Sequence, residues 1–306
     1  MASQGAAVAR DGGTAGALGV DLLPWARALP GGRDGAPGAV LAHTSRQGPG
    51  WTPPGRRPGG GGAATAEVVP PAGPYAGLDL ALHVGDDERA VLAARAALAA
   101  DLAGRGARSV QYLQQVHGAD VAVLREEPAP PPAAGAGPGA RPGRAAGDVP
   151  AVDAAVTDVP GLALAVLVAD CVPVLLADPA AGVVGVAHAG RRGAVAGTAL
   201  RALEAMRVLG ARDVVAVLGP SICGRCYEVP LALREEVAAV SPVAATTTWE
   251  GGPALDVAAV VLEQLHGEGV PVEQLPGCTA ERADLWSYRR DGAVSGRLAG
   301  LAWVPA

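Results

Sequence analysis

The sequence contains no lysine and no phenylalanine, so all 24 basic residues are arginine, and five tryptophans and four tyrosines supply its 3% aromatic content. With 44 glycines and 27 prolines, this bias suggests a G+C-rich genome and carries no functional message. Net positive charge is also missing. A formal charge of −6 over 306 residues argues against a general nucleic-acid binder, whose affinity comes mostly from neutralised phosphates, so any anion site must be local. Nor is there an apolar run suited to a membrane: GLALAVLVADCVPVLLA carries Asp170 and Pro173 in its middle and reads as buried β-structure. The first residues lack a basic start followed by an uninterrupted apolar core, which predicts no secretion and a cytoplasmic protein. Cysteine is scarce, four in the chain, and in a reducing compartment such thiols serve packing, metal binding or catalysis.

The chain is long enough for a sizeable core, and half of its residues are hydrophobic. Residues 1–38 are Gly/Ala-rich without periodicity and read as a disordered or loosely packed extension, with folding beginning at 39. Two Gly/Pro-rich segments, near 48–74 and 126–150, read as loops inserted into one domain spanning 39–306. DDERAVLAARAALAADLA has acidic residues at its start and apolar residues at helical spacing, which predicts a helix. GAVAGTALRALEAMRVLG predicts another, as do PLALREEVAAV and DVAAVVLEQLHGEG. SVQYLQQVHGADVAVL reads as strand, turn at Gly118, and strand. Short β-type runs follow from DAAVTD to GVVGVAHAG and again at DVVAVLGPSI, and the C-terminal stretch from Leu285 reads as β-like. Strands and helices interleave without a regular βαβ beat, which predicts an α+β fold: a single layered domain of mixed β-sheets flanked by helices.

Of five histidines, His266 falls late in an amphipathic helix and reads as a surface residue, while His43 and His83 read as structural. His117, in QVHGA, and His188, in VAHAG, each end an apolar run and precede small residues that leave the imidazole approachable. Cys171, in VADCVP, occupies the same kind of position. Two imidazoles and a thiolate are a possible three-ligand zinc set with the fourth position open. The spacing alone leaves two other readings standing: a core cysteine beside hydrogen-bonding histidines, and a Cys-His nucleophile pair, for which no third, orienting residue stands out. Cys223 and Cys226 have C-x-x-C spacing, but no helix follows as in a redox dithiol, so they read as structural cysteines in a turn. Cys278 has no evident partner.

The blocks QQVHGADV, VADCVPVLLAD, GVVGVAHAGRRG, LGPSICGRCYEV, ALDV and CTAERADLWSYRRDGAVSGR, in that order, resemble the polyphenol oxidase or laccase-domain family over roughly residues 39–304. Family members include zinc-containing purine nucleoside phosphorylases with adenosine deaminase activity and a peptidoglycan editing factor. The resemblance implies that His117, Cys171 and His188 are the ligands of a Zn2+ cofactor, and that Arg192 matches the family's usual arginine. It departs from the pattern at Arg191, where the family usually has tryptophan, and at LDLA, with Asp79 for asparagine and Ala81 for glycine. The early arginine block survives as Arg46 and a following helix pair only as Arg95. Substrate contacts are accordingly expected at Arg46, Asp79 and Arg95.

The function implied is phosphorolysis of purine nucleosides by phosphate, with adenosine deamination as a second activity. Asp170 is expected to position water, and Arg192 to hold phosphate by bidentate contacts. The alternatives are an amidase editing peptidoglycan precursors and a non-enzymatic zinc-containing interaction protein. No nucleic-acid or membrane partner is expected, and the sequence leaves the oligomeric state open. Laccase chemistry is rejected: a multicopper oxidase needs a histidine-rich cluster that five histidines cannot supply. Because Gly/Pro-rich insertions add little buried apolar area, deleting 128–147 is expected to leave a single cooperative transition in a thermal melt. A non-cooperative melt would show that the segment packs on the core.

Overall fold

Residues 154–189 are almost continuously apolar because the strands they form are covered on both faces. The computed structural model describes residues 22–31, 37–46, 75–126 and 148–306. In chain order the N-terminal half contains β1 (Trp25–Pro30), β2 (Pro37–His43), α1 (Glu88–Ala103), β3 (Ser109–Gln114), β4 (Val121–Leu124), β5 (Asp148–Ala151) and β6 (Ala154–Thr157). The central part holds β7 (Leu162–Val168), β8 (Val172–Asp178), β9 (Val183–Ala189), α2 (Arg191–Val195), α3 (Thr198–Val208) and β10 (Val215–Leu218). Then come α4 (Leu231–Val240), β11 (Ala245–Thr247), β12 (Pro253–Leu255), α5 (Val257–Gly267), β13 (Val272–Gln274), α6 (Tyr288–Asp291) and β14 (Leu298–Trp303).

Two six-stranded mixed sheets are stacked, one in the order β1-β2-β14-β7-β3-β5 and the other β13-β10-β8-β9-β6-β4. Leu41, Leu164 and Val166 of the first meet Leu175, Val184 and Val186 of the second in an apolar inner layer, each such leucine stabilising the fold by about 1.5–3 kcal/mol. The outer face of the first sheet packs on Leu98 and Leu102 of α1, and that of the second on α3 and α5 through Leu203, Met206 and Val261. The result is a helix–sheet–sheet–helix sandwich, the layered α+β domain expected. Asp87 caps α1 by accepting from the Arg89 and Ala90 N–H groups at 2.9 and 3.1 Å. Among the described residues, no helix is long and apolar enough to cross a membrane.

Several boundaries differ from expectation. Ordered structure begins before residue 39: Leu22 and Leu23 are buried and β1 pairs antiparallel with β2 from Trp25↔His43, so backbone pairing compensates for a segment with little apolar periodicity. The second insertion ends in a strand, since β5 pairs in parallel with β3; the segments 48–74 and 127–147 lie outside the described residues. The helix expected after His188 is two helices, broken at Gly197, whose φ of 77° is left-handed. Only residues 298–303 of the β-like terminus form a strand, α6 and a 3-10 turn preceding it. The strands β3 and β4 flanking Gly118 belong to different sheets and are not a hairpin.

Asp79 is a buried charge, 2% exposed. Its Oδ1 accepts from the N–H groups of Ala81 at 3.0 Å and Arg297 at 2.8 Å, while Oδ2 is buried with no hydrogen-bond partner among the described residues. Burial pushes its pKa up to about 6. A folded pKa above the unfolded value means a stability contribution fully present below about pH 4 that is lost as pH rises through about 6. The Asp79→Asn variant removes this titration. Relative to the parent, it is expected to gain on the order of 2–3 kcal/mol of unfolding free energy between pH 4 and pH 7.5, measured by urea denaturation at both. A constant difference between the two proteins would refute the buried charge.

Candidate active site

Three chain crossings from the first sheet to the second lie side by side: β3 to β4, β5 to β6 and β7 to β8. They carry His117, Asp153 and Cys171. His188 joins them from β9, paired with Pro173 of β8. The donor atoms of His117, Cys171 and His188 all lie within 4.8 Å of one another, with Cys171 Sγ 4.0 Å from His117 Nε2 and the two imidazoles edge to face at 4.7 Å between centroids. In a tetrahedral zinc centre a sulfur and a nitrogen ligand are about 3.6 Å apart, so that pair needs only slight closure. The backbone is cleared for it: a Cβ on Gly190 would stand 2.9 Å from His117 Cδ2 and 3.2 Å from Cys171 Sγ. Donor types and spacing fit a zinc ion with one position left open.

Asp153, which nothing in the sequence singles out, organises this set. Its fully buried carboxylate accepts the N–H groups of Val116, His117 and Gly118 at 3.2, 2.9 and 2.6 Å, and Nδ1 of His188 at 2.8 Å. Three successive N–H groups form an anion nest that holds His117 at a left-handed φ of 60°. That conformation costs a non-glycine residue about 1–3 kcal/mol, which the charge-assisted bonds offset. With Nδ1 carrying the hydrogen toward Asp153, His188 presents Nε2 as its donor atom. Gln115 extends the β3–β7 ladder through its side chain, exchanging bonds of 2.7 and 2.8 Å with the Leu167 backbone, and so sets the start of the His117 turn.

Burial opposes charge on Asp153, yet the His188 and Gly118 donors hold its carboxyl below the usual aspartate range. Burial also opposes a Cys171 thiolate, but the imidazoles of His188 and His117 outweigh it and bring the thiol down to about 6. His188 is raised to about 9, burial being outweighed by the Cys171 sulfur and Asp153. The thiolate favoured by this arrangement is the form that binds a metal. Asp153 is also the orienting residue that a Cys-His pair requires, so the geometry carries the metal-ligand and the nucleophile readings alike.

A cavity of about 540 Å³ opens onto these residues, within the roughly 300–1,000 Å³ of small-molecule sites. Asp170 lines it in a left-handed conformation, φ 85°, and its carboxylate takes the Thr279 hydroxyl and the Arg289 N–H, each at 2.6 Å. It thereby fastens the Cys171 turn to two C-terminal segments. Among the described residues, three arginines line it, Arg191, Arg289 and Arg297, with Tyr227 and Tyr288 in the wall beside them.

Four expected contacts fall elsewhere. Arg192 is exposed and does not line the cavity, because α2 begins at Arg191 and successive helical residues point about 100° apart. Arg46 lies over the Trp286 ring at 4.0 Å and donates to the Ala76 carbonyl. Arg95 covers the Tyr112 ring at 3.8 Å and donates to Leu80. Asp79 is turned onto Ala81 and Arg297 and supports the wall from behind. His83, expected to be structural, lines the cavity, whereas His43 stacks on Trp25 and His266 is exposed at the end of α5. The block SYRRDGAVSGR contains Arg289 and Arg297, but only the folded chain separates them from Arg290, which caps backbone carbonyls of Thr279, Arg282 and Leu285.

A sequence profile of the family described as multi-copper polyphenol oxidoreductase laccase matches residues 66–305. A purine nucleoside phosphorylase of Streptomyces coelicolor is 53% identical over 234 residues, 76% of this chain and 89% of that protein. One of Streptomyces griseus is 49% identical over 236 residues, with the same coverages. The solved structure of YlmD from Geobacillus stearothermophilus has a TM-score of 0.67 at 31% identity, covering 94% of this chain and 100% of that one. Profile, relatives and fold agree, and the chain belongs to the multi-copper polyphenol oxidoreductase laccase family.

Proposed function

We propose that this protein is a zinc-dependent purine nucleoside phosphorylase with adenosine deaminase activity. The observation that carries the reading is the open His117–Cys171–His188 donor set facing a cavity lined by three arginines. Relatives named purine nucleoside phosphorylase at up to 53% identity over most of the chain support the substrate class. Zinc held by the three donors would supply a Lewis acid and lower the pKa of a coordinated water. The protein's own residues do the rest. Arg191, Arg289 and Arg297 neutralise phosphate and orient it. Tyr227 and Tyr288 offer faces on which a purine stacks. Asp170 holds the Cys171 turn rigid. In phosphorolysis the N-glycosidic bond breaks, a phosphate oxygen bonds to C1′, and the base leaves with a proton. In deamination water replaces the amino group and ammonia departs.

The Cys171 nucleophile reading is favoured by one observation, the 2.8 Å Asp153–His188 contact. Chelation separates the two. A ligand loses activity with the metal and regains it when zinc is restored, and this is the expected result; a nucleophile keeps its activity and forms a covalent adduct visible by mass spectrometry. Asp153→Asn is expected to weaken zinc binding by about 10–100-fold, read by competition with a chromogenic chelator; unchanged affinity would remove Asp153 from the site's support. Arg191→Ala is expected to raise the phosphate concentration for half-maximal base release by at least about tenfold while changing deamination by less than about threefold, with Arg192→Ala close to the parent in both. Equal loss of the two activities would show that Arg191 shapes the cavity in general.

A further inference from the structure

The three cysteines not used by the cavity come together with a carboxylate. Cys223 and Cys226 flank a tight turn in which the Cys226 and Tyr227 N–H groups both donate to the Cys223 carbonyl, at 3.0 and 3.1 Å. Cys278 arrives on a second loop, joined to the first by the Ser221↔Cys278 bridge and by the Thr279 N–H on the Ser221 carbonyl at 3.1 Å. Glu281 follows one turn later and places Oε1 3.4 Å from Cys226 Sγ. The four donor atoms all lie within 4.8 Å of one another, and every thiol is free.

Three sulfurs and one oxygen, two of the sulfurs from a C-x-x-C turn and the other donors from a separate loop, are the composition and layout of a closed four-coordinate site. Sulfur ligands of a tetrahedral zinc stand about 3.8 Å apart, so contraction by roughly 1 Å or less completes it. The Cys223 N–H donates to Cys278 Sγ at 3.4 Å, the kind of outer bond that supports a ligand thiolate. A redox dithiol fits less well, because Cys226 does not open a helix; α4 starts only at Leu231.

We propose that Cys223, Cys226, Cys278 and Glu281 form a second metal site, a structural zinc centre distinct from the one at the cavity. Binding releases the thiol protons to solvent and leaves no open position. Its consequence for the cavity is mechanical. Ile222 and Tyr227, beside two of the ligands, line the wall, and Thr279, beside Cys278, holds Asp170. The centre therefore staples the 221–227 turn to the 278–282 loop behind the residue next to Cys171.

The test is elemental analysis and cobalt substitution of the full chain, purified with reductant and without chelator, as parent and as Cys171→Ser. The Cys171→Ser protein has no thiolate at the cavity site, so any thiolate-to-metal absorption it shows comes from the second site alone and does not depend on the proposed function. It is expected to retain about one zinc and, with cobalt, to show thiolate-to-metal charge-transfer absorption. Loss of all zinc, with no such absorption in folded Cys171→Ser protein, overturns the site. Cys226→Ser added to the Cys171→Ser protein should abolish the absorption. If that variant does not fold, Glu281→Gln, at an exposed residue, should weaken zinc retention against chelator at least tenfold; unchanged retention overturns the four-ligand assignment.

Discussion

The carboxylate of Asp153 is the point on which the candidate site depends. It is buried and accepts four N–H donors, three from the turn that carries His117 and one from His188. Each such charge-assisted bond is worth about 1.5–3 kcal/mol, and a carboxylate sealed from water without them would be strongly destabilising. The bonds solve several problems at once: they neutralise a buried anion, hold a left-handed histidine, and fix which nitrogen of His188 faces Cys171. A single group therefore ties the β3–β4 crossing to the β5–β6 crossing and to β9.

That arrangement follows from the stacking of two sheets. Strands buried on both faces leave no surface within the sandwich for polar chemistry, so reactive groups collect where the chain leaves one sheet for the other. The crossings are short, and short crossings between packed sheets have little freedom. The same crowding makes glycine necessary at 190, where a side chain would intrude on His117 and Cys171.

The part of the cavity wall that Asp170 joins to the C-terminal segments is built differently. It rests on two C-terminal loops whose order comes from polar contacts: Arg290 on three carbonyls, Asp170 on Thr279 and Arg289, and the cluster of three thiols with Glu281. Such a wall adds directional bonds to the small apolar cluster of Val168, Leu285, Trp286 and Leu298 beneath it, which suits a surface that must present arginines and tyrosines to a ligand.

The apolar runs from Ala154 to Ala189 and the periodicity of α1, α4 and α5 made the layered α+β class legible in the sequence, because strand burial and helix amphipathicity leave local periodic signatures. The ends of apolar runs, the one before His117 included, also marked His117, Cys171 and His188 as groups left near an opening. Other decisions required the fold. Whether Arg191 or Arg192 faces the cavity depends on where α2 starts, a matter of one residue. Arg46, Arg95 and Asp79 are charged residues like any others in sequence, and only packing against Trp286, Tyr112 and the Arg297 backbone commits them to support. Asp153 and Cys278 carry no local signal at all. Their partners lie tens of residues away along the chain, and convergence of that kind is set by sheet topology, to which no short window of sequence has access.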